Sequence, residues 1–242
     1  MCSVTFWPNG PTYRLAMNRD EQLTRVTGRP PARFVTNGRA ALHPSEPGSG
    51  TWISVNDSGV GLALINWYAI TQRAPAPMVS RGEVVMTMRE VSRVEEAAQR
   101  LDALPLKQIN PFRLIGVFPQ HQSVCEWRWN QQQLEKIVHE WSPQQWLSSG
   151  YDELAAQRIR SETFSARCHE PDAGDAVWLR RLHGSHSPER GPFSICMHRA
   201  DAATVSYTEI EVSGEHTVMS HHVGPLCCVG KFFEEQIALV VR

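Results

Sequence analysis

Residues 1–21 read MCSVTFWPNGPTYRLAMNRDE. Residues 2–7 form a short apolar run with strand character, and Pro8-Asn9-Gly10-Pro11 supplies turn residues. A second run covers residues 12–17, so the stretch predicts an N-terminal hairpin that brings the chain back to its own start. The polar tetrad Asn18-Arg19-Asp20-Glu21 then falls close to the chain terminus.

Cysteine at position 2 is a small second residue, which permits methionine aminopeptidase to remove Met1. The mature chain then begins with a thiol beside its own α-amine. A free α-amine titrates at about 7.7–8.0 and a thiol at about 8.5, so the amine accepts the thiol proton near neutral pH without a histidine. One residue supplies both nucleophile and base. Arg19 would favour the thiolate, and Asp20 would orient the α-ammonium. The plainer alternatives are that Cys2 only starts a buried strand and that residues 18–21 are a solvated turn. Adjacent strand residues face opposite sides, so Arg19 and Asp20 serve one site only if the strand bends or ends there.

Outward from the hairpin, Pro30-Pro31 and the stretch 44–50 read as irregular chain. Residues 51–56 and 60–66 are apolar runs joined by Asp57-Ser58-Gly59, a second hairpin signal. Between 92 and 104, Val94, Ala97, Ala98 and Leu101 fall at helical spacing, with Ser92 as cap, Glu95 three residues later and Pro105 as stop. Strands are predicted at 112–118, 123–130 and 134–141, helices at 151–167 and 175–182, and strands at 194–198, 204–212 and 215–221. This order lacks the strict βα alternation of a doubly wound sheet, and antiparallel sheets covered by helices suit it better.

The chain has 242 residues, 41% of them hydrophobic, enough to bury the core of one domain spanning 1–242. Lys and Arg number 24 against 25 Asp and Glu, so no long-range field favours nucleic acid or an anionic membrane. No leader pattern and no apolar run of membrane-spanning length occurs, so a cytoplasmic location with no membrane span is expected. Six cysteines at 2, 125, 168, 196, 227 and 228, without a CxxC pair, are expected to be reduced thiols and not a tetrathiolate zinc site.

Met1-Cys2, the literal Asn18-Arg19-Asp20-Glu21, Gly50-Thr51-Trp52 and Leu64-Ile65-Asn66-Trp67 resemble the NRDE family, also called the transport-and-Golgi-organisation family. The resemblance covers about the first 70 residues. It implies an α+β fold, a four-layer αββα sandwich of antiparallel sheets like that of N-terminal-nucleophile (Ntn) hydrolases, similar to the choloylglycine and penicillin V acylases. It further implies Cys2 as nucleophile, Arg19 and Asp20 beside it, and Asn66 as an oxyanion donor. The acylases carry a second asparagine near the position of Ser148-Ser149, where Ser149 would have to donate instead. They also place an arginine near Arg158 and Arg160. The expected partner is a small-molecule amide or acyl substrate, with haem or acyl-coenzyme A as the ligand of a non-catalytic carrier. No cofactor is expected.

Other clusters offer rival readings. His183, His186, Cys196, His198, His221 and His222 could supply metal or haem ligands, but no carboxylate is tied to them by spacing and they equally read as surface or core histidines. Arg180, Arg181, His183, Arg190 and Arg199 could receive a phosphate of coenzyme A or form a scattered solvated face. Trp67 and the Trp127/Trp129 pair could line an apolar pocket or pack the core.

Overall fold

A computed structural model of the chain describes residues 2–76, 78–228 and 235–241. Met1, whose removal the Cys2 chemistry requires, lies outside them. Among the described residues one sheet runs β10 (Gln144–Ser148), β1 (Cys2–Asn9), β2 (Thr12–Gln22), β11 (Ala202–Val212), β12 (His216–Val223), β13 (Glu235–Val240). The other runs β3 (Arg29–Thr36), β4 (Arg39–Ser45), β5 (Ile53–Asn56), β6 (Gly61–Asn66), β7 (Phe112–Phe118), β8 (Ser123–Trp129), β9 (Leu134–His139). Neighbouring strands in both sheets are antiparallel.

The alternation of β1 and β2 decides the layers. Val4, Phe6, Leu15 and Met17 point toward the second sheet and meet Leu42, Ile53, Val55, Ile65 and Ile115, all fully buried. Each such side chain contributes about 1.5–3 kcal/mol on leaving water. On the far side of the second sheet, α1 (Gly82–Met88) and α2 (Val94–Asp102) bury Val84, Val85, Met88 and Leu101 against Leu62, Leu114 and Trp127. On the far side of the first, α4 (Ala176–His183) packs Trp178, Leu179 and Leu182 on Ala16 and Tyr207, while α3 (Glu153–Arg167) lies over β10. The stack is the expected four-layer αββα sandwich.

Several elements depart from the sequence reading. Pro30-Pro31 and Pro44-Ser45 lie in strands and not in irregular chain: β3 is the outer strand of its sheet, and its register shifts between Arg29 and Ala32. An edge position with a bulge is where Pro30-Pro31 costs no ladder bond. The returning strand β2 runs on through the tetrad to Gln22 because β11 pairs with it as far as Ala202↔Gln22. Residues 194–198 make only the bridge His198↔Ala203, not a strand. In α2 the partner of Ser92 is Glu96, whose Oε2 accepts from the Ser92 backbone N–H at 2.9 Å, instead of Glu95.

One buried carboxylate holds strands of the second sheet together. Glu126 on β8 is fully buried and accepts from Arg113 Nε at 2.5 Å and Arg128 Nε at 2.9 Å, with His139 Nε2 at 2.9 Å. Burial pushes its carboxyl up, but hydrogen bonds and charge from Arg128 and Arg113 outweigh that and hold it at about 2. A folded-state value below the unfolded one, about 4.3, gives stability that is present above pH 5 and lost as the pH falls toward 2. Wild type should therefore exceed Glu126→Gln by an amount on the order of 3 kcal/mol at pH 7. Denaturant titrations at stepped pH should show that difference shrinking between pH 5 and 2, and a constant difference would contradict the assignment.

Candidate active site

The β1–β2 hairpin sets the site. Cys2 lies directly across from Arg19 on one side and Ser148 of β10 on the other, so the three side chains share the face turned toward the second sheet. Across the gap the β6 strand ends at Asn66, and the start of α1 closes the rim. The α1 backbone approaches residues 50–51 so closely that a Cβ on Gly82 would stand 2.8 Å from Gly50 Cα. Together these segments enclose a cleft of about 310 Å³. Cys2, Arg19, Asp20, Thr51, Trp52 and Asn66 line it, joined by Glu21, Arg25, Glu46 and Arg81. All four quoted sequence motifs thus contribute to one cavity.

Arg19 is nearly buried. Its guanidinium stacks 4.5 Å from the Trp52 ring centroid and donates from Nη2 to Glu46 Oε1 at 2.7 Å. Arg25 spans the same acids, with Nη1 2.7 Å from Glu21 Oε2 and Nη2 2.9 Å from Glu46 Oε2. Arg81 also lines the cleft, and among the described residues no carboxylate lies in ion-pair range of it. Burial pushes its guanidinium pKa down. The cleft therefore carries a cation that its own acids do not match.

Burial also pushes the Cys2 thiol up from its ordinary value. Arg19 and a hydrogen bond from the Asp20 backbone N–H act the other way without overcoming it. The activation expected from Arg19 alone is thus opposed first by desolvation and then by the charge of the Asp20 carboxylate.

Asp20 and Arg19 face opposite sides of β2, as strand alternation requires. The Asp20 carboxylate accepts from Thr204 Oγ1 at 2.7 Å and pairs with Arg160 Nη1 at 3.4 Å on the helix side of the sheet. Arg160 is fully buried and also donates from Nη1 to Ser3 Oγ at 2.9 Å and from Nε to the Phe193 carbonyl at 3.3 Å. Arg158, two residues before it on the helix, is exposed and pairs with Glu162. Of the two arginines, Arg160 is the one tied to the tetrad.

Asn66 donates from Nδ2 to Tyr68 Oη at 2.8 Å. An amide nitrogen carries two hydrogens, so one donor of Asn66 is left for the cleft. Ser149 does not line the cleft. It sits on a neighbouring cavity wall with Trp67 and Tyr68, one residue past the end of β10. Ser148 is likewise outside the cleft lining, but it stands directly opposite Cys2, and its buried Oγ has no hydrogen-bond partner among the described residues. Only the cross-strand register distinguishes the two serines, and one sequence does not carry it.

The rival clusters separate. His183 is buried, with Nε2 3.0 Å from Thr5 Oγ1, and desolvation pushes it down to about 3. His221 is held at about 4 by burial beside Thr208. Arg180 pairs with Glu209, Arg181 with Asp172 and Glu170, and Arg199 with Asp201, which leaves little of the basic face available to a phosphate. Trp127 and Trp129 are packed in the outer core beneath α1 and α2, and Trp67 lies outside the Cys2 cleft. His186, Cys196 and His198 do come together, joined by Cys227. Among the described residues no helix is long and apolar enough to cross a membrane.

Solved structures share this architecture. A conjugated bile acid hydrolase mutant from Clostridium perfringens superposes with a TM-score of 0.60 at 9% identity, covering 99% of this chain and 92% of that one. A second variant of conjugated bile acid hydrolase from the same organism gives 0.57 at 8% identity, covering 100% and 97%. Penicillin V acylase from Agrobacterium tumefaciens gives 0.54 at 11% identity, covering 93% and 84%. At these identities the likeness is one of fold, the Ntn-hydrolase fold. No curated protein matches the sequence significantly. The family model described as Transport and Golgi organisation 2 matches residues 1–166, more than half of the sequence. The chain belongs to the Transport and Golgi organisation 2 family.

Proposed function

We propose that the protein is a cysteine Ntn amidohydrolase, or an acyltransferase using the same acyl-enzyme, acting on a small non-peptide amide that bears an anionic group. The observation that carries this reading is the convergence of Cys2, Arg19 and Asn66 on one cleft with the otherwise unmatched cation Arg81. With Met1 removed, the α-amine of Cys2 takes the thiol proton and the thiolate attacks the amide carbonyl. The Asn66 amide, joined by the Ser148 hydroxyl, stabilises the oxyanion. The α-ammonium returns its proton to the departing amine. Water, or an acceptor nucleophile, then releases the acyl group from Cys2. Arg81 would hold the anionic end of the substrate, and the Arg19–Trp52 stack would form the wall behind the thiol.

Asn66→Ala should slow single-turnover acylation of Cys2 by about 10²–10³, the usual effect of losing one oxyanion donor. Stopped-flow or quenched reactions with activated acyl donors, anionic and neutral, measure it, and the anionic donor should react faster in wild type. An unchanged acylation rate in Asn66→Ala would remove Asn66 from the mechanism. The second reading is a non-catalytic carrier of haem or an acyl thioester. It is favoured by the burial that raises the Cys2 thiol pKa and by serines standing where a second amide would be. A carrier would bind its ligand tightly in wild type, form no adduct with any donor and be indifferent to loss of Cys2.

A further inference from the structure

Four side chains outside the cleft converge on a single point. His186 follows α4, Cys196 and His198 lie in the segment before β11, and Cys227 sits in the 3₁₀ turn Leu226–Cys228 after β12. Their donor atoms all lie within 4.8 Å of one another. Around His198 Nε2, His186 Nε2 stands at 3.1 Å, Cys227 Sγ at 3.4 Å and Cys196 Sγ at 3.6 Å. One ring nitrogen makes one hydrogen bond, yet three donor groups crowd this one. An ion at their centre accounts for all three contacts. With metal–nitrogen bonds of about 2.0–2.1 Å and metal–sulfur bonds of about 2.3 Å, the edges of a tetrahedron are about 3.3 Å between nitrogens and about 3.6 Å between nitrogen and sulfur. The three separations at His198 Nε2 are close to those edges.

We propose that His186, Cys196, His198 and Cys227 bind a tetrahedral zinc ion. Two imidazoles and two thiolates are a borderline-soft set that suits zinc, and four protein donors leave no open position, as in structural and not catalytic sites. Both imidazoles bind such an ion through Nε2 as neutral rings. Both cysteines ligate as thiolates, so each thiol releases its proton to solvent when the metal binds. One neighbour must move. Arg190 Nη2 is 3.2 Å from His198 Nδ1, which carries a proton once Nε2 is a ligand, and Arg190 is exposed and can turn away. The ion would pin three chain segments together. Between two of its ligands lie Pro192 and Phe193, whose carbonyls accept from Arg160. Metal binding thereby steadies the support of Asp20.

The test is metal analysis of the full chain, free of any affinity tag, purified under reducing conditions from zinc-supplemented cells. About one zinc per chain is expected in wild type, with at least a tenfold loss in Cys196→Ala and Cys227→Ala and full retention in Cys228→Ala and Cys168→Ala. Cobalt(II) added to the metal-free protein should give thiolate charge-transfer and tetrahedral d–d absorption, both lost in the same two variants. If those variants do not fold, site-resolved alkylation of wild type decides the matter. Zinc should protect Cys196 and Cys227 from the reagent and leave Cys228 reactive. Wild type with less than about a tenth of an equivalent of zinc and no cobalt spectrum would overturn the site. So would metal content unchanged by loss of either cysteine, or alkylation of Cys227 that zinc does not slow.

Discussion

Cys2→Ala is expected to abolish acyl transfer, lowering single-turnover acylation by roughly 10⁴-fold or more, because among the described residues no other thiol lines the cleft and the hydroxyls of Thr51 and Ser80 lack the adjacent α-amine as base. The fold should survive. Cys2 sits at the strand end against the cleft, and the cost of trimming one sulfur there is small beside the buried aliphatic layer between the sheets. Binding of an unreactive substrate analogue should likewise persist, since Arg19, Trp52 and Arg81 are untouched. Circular dichroism, analogue titration and acylation kinetics on the same variant separate these effects. A variant that still acylates at the wild-type rate would show that the nucleophile lies elsewhere, and one that loses the analogue as well would assign Cys2 to binding.

Arg160→Met is expected to be the most destabilising single change near the site. Both side chains of the Arg160–Asp20 pair are fully buried, and removing one partner of such a pair costs about 3–5 kcal/mol through the uncompensated charge left behind. The variant also strands the Phe193 and Pro192 carbonyls and Ser3 Oγ. For a chain of this size the melting midpoint should fall by on the order of 10 °C. Arg158→Met should leave it unmoved, because its ion pair with Glu162 is solvent-exposed. The double variant Asp20→Asn/Arg160→Met should be more stable than Arg160→Met alone, since it removes the stranded carboxylate as well. Equal melting points for the Arg158 and Arg160 variants would contradict this role for the buried pair.

The N-terminal hairpin was legible because it is local: turn residues at 8–11 fix the return of the chain, and pairing of Cys2 with Arg19 follows from it. The opposed facing of Arg19 and Asp20 was legible for the same reason, as it needs only strand alternation. What Asp20 meets was not, because Arg160 stands 140 positions away and reaches it from a helix on the far side of the sheet. The choice between Ser148 and Ser149 turns on the β1–β10 register, a one-residue matter that apolar patterning does not settle in a five-residue strand. The strands at 29–45 were hidden by prolines that an edge position tolerates. Helix α1 is short and carries Val84, Val85 and Thr87, β-branched residues that weaken a helical signal. Cys227 joined its cluster unannounced, because the four donors come from three separate segments and no paired-cysteine motif marks them.

The nucleophile assignment is tested most directly by intact mass of the purified chain before and after reaction with an activated anionic acyl donor, followed by peptide mapping. The expected result is a chain lacking Met1 that gains a single acyl group, mapped to Cys2 and absent from Cys2→Ala. A chain that retains Met1 yet is fully reactive, or an adduct mapped to another cysteine, would contradict it.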